Sequence, residues 1–403
     1  MALLETPPAT GTPTVRRLKS GSNFDVIVVG AGFAGSVMAE RAASMGLRVL
    51  VVDTRQHIAG NAYDFIDEWG VLAHRYGPHL FHTNAAVVSD YLSRFTAWHP
   101  YEHRVKAVID GQYVPVPINR TTVNLMYGLN LETEDQVTDF YARVAEPREM
   151  HNSEDAVVAK VGRDLYERVF RGYTRKHWAL DPSELDASVC ARIPIRTSTD
   201  DRYFGDSFQF MPKHGYTKMF ENILDHPLIQ VEVGTDYAEV AHLSRKLLVW
   251  TGPIDAYFDE RLGKLPYRSL RFEAVGYPVI NQGYLQPVTQ VNFPSEDVAY
   301  TRTVEYRHAT GQMHDHSSLY YEYPTDEGDP YYPIPRPQNR ELYERYVTLA
   351  EAERDTVFVG RLARYQYLNM DQVVAQALQA AEKAFGAERK RNSNGRVGSR
   401  VSA

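Results

Sequence analysis

Apolar residues near the start of the chain form two short runs with a helical stretch between them. The runs cover residues 25–29 and 48–52, and residues 34–45 between them are predicted as a helix. A strand, a helix and a second strand in this order are typical of a parallel βαβ unit. We therefore predict that the chain begins an α/β fold.

The hydrophobic pattern changes in the middle of the chain. Residues 114–117 read Val-Pro-Val-Pro, which forces extended backbone and ends the alternation of strands and helices. From about residue 121 to 186 the apolar residues follow a helical period, and the clearest helix is predicted over 153–170 with Ser153 as its N-cap. This block is predicted to be an inserted helical domain.

Later segments carry two further patterns. Residues 268–324 contain alternating aromatic and β-branched runs separated by Gly, Asn and Pro, which predicts an antiparallel sheet. Short apolar strands at 228–233, 246–251 and 356–360 are followed by a helical pattern over 370–385. We predict that these strands return to the first domain and make it discontinuous.

Charge and composition limit the possible partners. The chain carries 44 Lys and Arg against 51 Asp and Glu, a net charge of -7, which offers no general attraction to nucleic acid or an anionic membrane. The single cysteine excludes an internal disulfide, and without clustered Cys and His no metal site is predicted. Neither a secretory signal nor a membrane-spanning apolar run is predicted. We expect a cytoplasmic protein.

A glycine-rich turn follows the first apolar run. Residues 30–35 read Gly-Ala-Gly-Phe-Ala-Gly, a pattern in which the backbone turns tightly against a dinucleotide pyrophosphate. The N–H groups at the start of the next helix would receive the anion. Asp53 ends the second strand, where an acid is expected to bond a ribose hydroxyl. The motif predicts a Rossmann-like dinucleotide-binding domain.

Two later segments favour FAD over NAD as the dinucleotide. Residues 55–63 resemble the second glycine loop of the large FAD-binding flavoprotein group, with Ala59 in place of a first glycine and Gly60 retained. The last strand leads to Arg361 and to a helix that begins around Met370, whose start would stabilise negative charge on a reduced flavin. The predicted cofactor-binding residues are Gly30, Gly32, Phe33, Ala34, Gly35, Asp53, Gly60, Asn61, Arg361 and Met370.

The predicted fold class is therefore α/β, with a discontinuous Rossmann-like FAD-binding domain, an inserted helical domain and an antiparallel β-sheet domain. A disordered lead and a disordered tail are expected at the two ends. The predicted bounds are 1–23 for the lead, 24–100 with 215–264 and 335–386 for the FAD domain, 101–115 with 187–214 and 265–334 for the sheet domain, 116–186 for the helical domain, and 387–403 for the tail.

Aromatic rings lie beside basic residues in three segments, and two further segments supply tyrosines. A nucleobase stacks on Tyr or Trp, whereas a diphosphate binds the planar fork of Arg and the hydroxyl of Tyr, so the set suits a nucleoside diphosphate ligand. For each residue alone, packing is the alternative, because 27 tyrosines produce such clusters by chance. The segments are 171–178, 191–204, 300–302, 328–333 and 364–369.

Two histidines, His79 and His82, lie close together after the first domain's second strand. Each is either a satisfied structural histidine or a neighbour of the flavin, and their spacing does not decide between these roles. We predict His82 as a catalytic group.

Several motifs together resemble the bacterial UDP-galactopyranose mutase family. The resemblance extends over about residues 24–379 and implies a three-part fold that agrees with the boundaries above. The motifs are GAGFAG at 30–35, YGPH at 76–79, FHTN at 81–84, YTRK at 173–176 with Trp178, GDPYYP at 328–333 and GRL at 360–362.

The resemblance implies a reaction and its partners. The family interconverts UDP-galactopyranose and UDP-galactofuranose without net redox, with N5 of reduced FAD as the nucleophile at the anomeric carbon. The protein has to hold the leaving UDP, which two arginines on its diphosphate would do, and we predict Arg192 and Arg302. A flavin reductant and a homo-oligomer are also expected.

The same resemblance assigns the substrate site. Residues 183–196 resemble a loop that closes over substrate, and Arg196 competes with Arg192 for the diphosphate. His177, Arg364 and Asn369 depart from the family pattern. Tyr173 and Trp178 resemble uridine contacts, Tyr203, Tyr332 and Tyr367 resemble phosphate contacts, and Arg361 resembles the arginine beside the flavin. The predicted catalytic residues are Arg192, Arg302 and His82, and the predicted substrate-binding residues are Tyr173, Trp178, Arg192, Tyr203, Arg302, Tyr332, Tyr367 and Asn369.

Two other functions remain open from the sequence. An FAD-dependent oxidoreductase of the amine-oxidase-like kind would share the FAD loops but would need an apolar substrate tunnel. A nucleotide-binding scaffold without catalysis would share the whole fold. Turnover of an electron acceptor with substrate would indicate the first, and UDP binding without isomerisation would indicate the second.

Overall fold

The protein is represented by a computed structural model that describes residues 23–397, with side chains as far as residue 386. The predicted disordered lead therefore lies outside the described residues except for Asn23. Within the described range, every helix is too short or too polar to cross a bilayer.

Strands and helices are numbered in chain order within the described residues. The strands are β1 Val26–Val29, β2 Val49–Asp53, β3 Asp64–Ile66, β4 Leu72–His74, β5 Phe81–Thr83, β6 Trp98–Pro100, β7 Val105–Ile109, β8 Gln112–Val116, β9 Phe208–Pro212, β10 Ile229–Val233, β11 Leu247–Trp250, β12 Tyr267–Pro278, β13 Gln290–Asn292, β14 Arg302–Val304, β15 His316–Thr325, β16 Tyr332–Pro333 and β17 Thr356–Phe358. The helices are α1 Phe33–Ser44, α2 Ala86–Leu92, α3 Arg120–Tyr127, α4 Glu134–Val144, α5 Ser153–Leu165, α6 Gly172–Trp178, α7 Ser188–Ala191, α8 Tyr216–Leu224, α9 Tyr237–Val240, α10 Ile254–Tyr257, α11 Arg307–Thr310, α12 Pro337–Ala350 and α13 Met370–Val397.

A five-stranded parallel sheet, ordered β10-β2-β1-β11-β17, forms the dinucleotide-binding part of the molecule. Strand β1 is apolar throughout because both faces of the sheet are covered. Val26 and Val28 face a core cluster that includes residues of α1, α8 and α13, whereas Ile27 faces the opposite cluster with Leu248. The strands of this five-stranded sheet come from three separate parts of the chain, so the predicted discontinuous Rossmann-like fold is confirmed.

The second large sheet has seven strands in the order β16-β12-β15-β14-β13-β7-β8. Strands β12 and β15 pair over ten residues and form its centre. The predicted antiparallel sheet is thus present, but β13 and β7 pair in parallel. No hairpin joins these two strands, so no turn sets their relative direction. Strand β9 also differs from its predicted place, because it pairs with β5 and β6 in a separate sheet.

The helical block differs from its prediction in two details. Asn152, not Ser153, caps α5, because its side chain accepts a hydrogen bond from the Asp155 N–H. The predicted continuous helix over 153–170 is also wrong. Gly162 leaves the helix with a φ of 79°, where a Cβ would collide with the carbonyl oxygen of Val144, and Tyr166–Arg171 then form a π-helix that leads into α6.

The C-terminal helix is longer than predicted. Residues 387–403 are predicted as a disordered tail, but α13 continues to Val397. Residues 398–403 lie outside the described residues. At its other end, α13 begins at Met370 as predicted, and Met370 lines a cavity beside the five-stranded sheet.

Candidate active site

A cavity of about 420 Å³ lies at the carboxyl ends of β1 and β2, the edge at which open parallel α/β sheets bind ligands. Of the ten predicted cofactor-binding residues, all but Gly35 line it. The starts of α1 and α13 both contribute to its walls. The lining residues therefore combine a helix N-terminus, two glycine turns and the C-terminal arginine motif.

Two glycines, Gly30 and Gly32, line the cavity in the turn between β1 and α1. Gly30 has a φ of 101°, and a Cβ there would collide with Oγ1 of Thr251. Gly35 lies behind the turn, where a Cβ would collide with the carbonyl oxygen of Gly30, so a glycine is needed for α1 to pack closely on the turn. Gly32 precedes α1 without any side-chain cap, so the first N–H groups of α1 are free to bind an anion.

The second loop brings Gly60 against the first turn. A Cβ on Gly60 would lie 2.9 Å from the Cα of Gly32, so the two glycine loops approach backbone to backbone. Ala59, which stands where the flavoprotein group has a glycine, adopts the left-handed conformation with a φ of 72°. The two glycine loops therefore remain in close contact although Ala59 replaces a glycine.

Three polar side chains complete this cavity. Asp53 accepts hydrogen bonds from the N–H groups of Ala31 and Arg55, at 2.8 and 2.9 Å, and still lines the cavity. Asn61 accepts a hydrogen bond from the Arg55 guanidinium at 2.9 Å. Arg361 bonds the carbonyl oxygens of Leu368 and, at 3.3 Å, Tyr331.

The two histidines have different surroundings. His79 lines the cavity, and its Nδ1 bonds the carbonyl oxygen of Gly77 at 2.9 Å, so Nδ1 carries the proton and Nε2 is the acceptor of the neutral ring. Burial lowers the pKa of His79 to about 4, which keeps that ring neutral. His82, the histidine predicted as catalytic, does not line this cavity but bonds Asp206 at 2.7 Å and stacks on Phe204 at 3.6 Å.

An aromatic cluster lies next to the cavity. The rings of Tyr332 and Tyr367 stack at 5.4 Å, and Trp178 lies within 6.3 Å of both. The Arg361 guanidinium is 5.7 and 5.2 Å from the two tyrosine rings, so one arginine contacts both the cavity and the cluster. Tyr173 extends the cluster through the ring of His177, to which it lies parallel at 6.1 Å.

Arg302 is fixed by a buried carboxylate. Its guanidinium bonds Oε2 of Glu322 at 2.7 and 2.8 Å and reaches Oε1 of Gln290 at 3.4 Å. Glu322 is fully buried, and Oε1 has no hydrogen-bond partner among the described residues. Burial raises the pKa of Glu322, and Arg302 offsets part of that rise. Arg302 also lies close enough to Tyr173 and Tyr332 to affect their titration.

Arg192 and Arg196 point to different partners. The Arg192 guanidinium lies 4.3 Å from the ring centroid of Tyr367, and the residue as a whole is exposed. Arg196 instead bonds the backbone carbonyl oxygens of Asp200 and Arg202. Burial alone would raise the pKa of Tyr367, but Arg192 and Arg361 outweigh it and hold the pKa below its usual value.

Two predicted substrate contacts lie at the margin of the cluster. Tyr203 is half-buried, and its N–H donates to the carbonyl oxygen of His103 at 2.7 Å. Asn369 is exposed just before α13.

Three polar residues of the site were not predicted: His79, which lines the cavity, Glu322, which pairs with Arg302, and His177, which lies between Tyr173 and Tyr332. Only their position inside recognised motifs or strands could have indicated them.

Comparisons with known proteins identify the family. A family model described as UDP-galactopyranose mutase matches residues 168–367, and one described as an NAD(P)-binding Rossmann-like domain matches residues 28–95. A Klebsiella pneumoniae protein named probable UDP-galactopyranose mutase is 38% identical over 371 residues, which cover 90% of this chain and 95% of the relative. The dTDP-fucopyranose mutase of Escherichia coli is 34% identical over 369 residues, with 89% and 97% covered.

The fold is also shared with a solved structure. The crystal structure of a reduced UDP-galactopyranose mutase superposes with a TM-score of 0.73 at 17% identity, covering 91% of this chain and 94% of that one. At that identity the likeness establishes the fold alone. Because the Klebsiella pneumoniae relative is matched over nearly its whole length, the chain belongs to the UDP-galactopyranose mutase family of isomerases.

Proposed function

We propose that this protein interconverts UDP-galactopyranose and UDP-galactofuranose and is active with reduced FAD. The observation that carries the proposal is that the guanidinium groups of Arg192 and Arg361 lie 4.3 and 5.2 Å from the ring centroid of Tyr367, with Arg302 acting on the same phenol. Positive groups gathered around one phenol favour an anionic ligand beside them. A nucleoside diphosphate supplies that anion, and the neighbouring aromatic rings offer a surface for its base.

The cavity beside the cluster fits a dinucleotide such as FAD. The uncapped start of α1 and the glycine turns at Gly30 and Gly60 would hold the pyrophosphate, and Asp53 would accept a ribose hydroxyl. The start of α13 at Met370 would favour negative charge on a reduced ring. Bound and reduced, the flavin supplies a nucleophilic N5 for the anomeric carbon.

The chain's own residues would hold UDP while the sugar rearranges. Glu322 holds the Arg302 guanidinium in a fixed orientation. Arg302 would therefore bind the diphosphate without having to reorient. Arg192 follows the short helix α7 on an exposed segment, which would let it close over the diphosphate after substrate enters. The hydroxyls of Tyr332 and Tyr367 would add further hydrogen bonds to the diphosphate. Retained UDP can then return to the same sugar, as an isomerisation requires.

The choice of sugar nucleotide is the part that most needs a direct test. One relative is named for UDP-galactopyranose and the other for dTDP-fucopyranose. These nucleotides differ in the base by a methyl group and in the ribose by one hydroxyl. We favour the uridine nucleotide because residues 168–367, which include the tyrosine and arginine cluster, match the UDP-galactopyranose mutase model.

The test is anaerobic incubation of the purified protein with UDP-galactofuranose, with and without dithionite, followed by chromatography of the sugar nucleotides. We expect UDP-galactopyranose to form only when the flavin is reduced. dTDP-fucofuranose is run in parallel, and faster conversion of it would overturn the assignment to UDP-galactose. Stoichiometric consumption of an electron acceptor would indicate an oxidoreductase. UDP binding without conversion would indicate a scaffold.

A further inference from the structure

An ion pair between Arg55 and Asp329 joins two distant parts of the chain beside the dinucleotide cavity. Nη2 and Nε of Arg55 lie 2.9 and 3.2 Å from Oδ2 of Asp329. Arg55 follows β2 of the parallel sheet, whereas Asp329 belongs to loop 326–331, which connects β15 to β16 in the seven-stranded sheet. Both residues line the cavity. The pair therefore connects the two sheets at the wall of one cavity.

Arg55 is held in place by its own part of the chain. Its Nη1 donates a hydrogen bond to Oδ1 of Asn61 at 2.9 Å, and its guanidinium lies 4.2 Å from the ring centroid of Tyr76. The Tyr76 hydroxyl in turn donates to Nε2 of His57 at 2.6 Å. The Arg55 side chain is only 21% exposed. The position of the guanidinium therefore does not depend on Asp329 alone.

Asp329 is the more exposed partner, because 53% of its side chain is accessible. A residue that lines the cavity and is also half-exposed lies where the cavity opens to solvent. Gly328, just before it, has a φ of 103°, and a Cβ there would lie 3.1 Å from Oγ of Ser269 on β12. Pro330, just after it, has a fixed φ. The backbone on both sides of Asp329 is thus restricted, which limits where its carboxylate can reach.

We propose that the ion pair of Arg55 and Asp329 holds loop 326–331 across the opening of the cavity and slows the release of bound FAD. The inference rests on the FAD part of the proposed function and not on the isomerisation. Exposed ion pairs contribute little to folding, so the effect of this pair belongs to the rate of cofactor release and not to the unfolding temperature. Salt weakens the pair by screening its charges.

The experiment follows the loss of FAD from the purified holoprotein by timed dilution and ultrafiltration, with the retained flavin measured by its absorbance. Asp329→Asn should release FAD roughly threefold to fivefold faster, because it removes the charge that holds the loop to Arg55. High NaCl should speed release from the unchanged protein and have less effect on the variant. Glu327→Gln is the matched control, since it removes one negative charge from the same loop at an exposed position that does not line the cavity. Its release rate should be unchanged.

A double-mutant cycle separates the ion pair from direct contacts with the cofactor. Arg55 itself lines the cavity, so Arg55→Met alone reports both. We expect Asp329→Asn to add nothing to the release rate in the Arg55→Met background. Additive effects would mean that Asp329 acts on the cofactor by itself, and they would overturn the proposal.

Two other results would also overturn the role of the ion pair. One is an unchanged release rate in Asp329→Asn, and the other is faster release with a lowered unfolding temperature of the FAD-free protein, which would indicate damage to the fold. A protein that retains FAD but isomerises no sugar would overturn the proposed reaction alone. Absence of FAD binding by the unchanged protein would overturn both proposals.

Discussion

At the scale of single residues, the ion pair of Arg302 and Glu322 leads us to predict effects on both the stability of the fold and the binding of UDP. The carboxylate is fully buried and has no other hydrogen-bond partner among the described residues. Arg302→Met should therefore lower the free energy of unfolding by about 3–5 kcal/mol, as seen when one member of a buried pair is removed. It should also weaken UDP binding by roughly 2–5 kcal/mol, because the phosphate loses its charge partner.

The double variant Arg302→Met with Glu322→Met separates these two effects. Replacing both charges with apolar groups of similar volume is often close to neutral for folding, so denaturant titration should show most of the stability restored. UDP affinity should remain low. Recovered binding in the double variant would mean that Arg302 only neutralises Glu322 and does not contact the nucleotide.

Arg192 and Arg196 allow a second comparison at the residue scale. Arg192 is exposed beside Tyr367, whereas Arg196 bonds the carbonyl oxygens of Asp200 and Arg202. Arg192→Ala should reduce kcat/KM by roughly 10- to 100-fold with an unchanged Tm, since it removes about 1.4–2.8 kcal/mol of contact with the diphosphate. Arg196→Ala should instead lower the Tm. A larger kinetic loss in Arg196→Ala would reverse the assignment.

At the scale of secondary structure elements, Lys176 joins helix α6 to the segment that precedes Arg302. Its ammonium donates to the carbonyl oxygens of Phe293, Ser295, Val298 and Tyr300, at 2.6 to 3.1 Å. We expect Lys176→Met to destabilise the fold by about 1.5–3 kcal/mol. Hydrogen exchange should then increase over residues 293–301, and UDP affinity should fall. Lys160→Met, an exposed site on α5, is the control and should change neither.

Local elements were predictable from the sequence, whereas distant pairings were not. The sequence predicts β1, the glycine turn that follows it and α1 within one residue of their observed bounds. These elements are predictable because residues close together in the chain determine them. The parallel pairing of β13 with β7 and the break at Gly162 depend on contacts with other parts of the chain. A hydrophobic period alone does not carry that information.

The same distinction applies to the candidate site. Cofactor positions such as Gly32 and Gly60 follow from backbone geometry, which a motif encodes directly. His79 could not be chosen over His82, because the choice depends on which side chain faces the cavity. Glu322 and His177 were not predicted because burial and missing partners are properties of the folded chain.

At the scale of the whole molecule, buried neutral histidines link stability to pH. Burial lowers the pKa of His74 and of His103 to about 3, against 6.5 in an unfolded chain. On acidification the unfolded chain binds protons before the folded one, so the stability that these rings contribute is present above pH 6.5 and is lost towards pH 3. Each histidine should remove about 1.4 kcal/mol per pH unit over that interval.

Urea titrations at pH 7.5, 6.0 and 5.0 measure this slope. The variant His74→Asn removes one imidazole and keeps an acceptor for the His79 N–H, which Nδ1 of His74 accepts at 3.0 Å. It should reduce the loss of unfolding free energy between pH 6.5 and 5 by about 2 kcal/mol. His242→Asn, at an exposed position, should leave the slope unchanged. Equal slopes in all three proteins would mean that His74 titrates alike in both states, and that another group links this fold to pH.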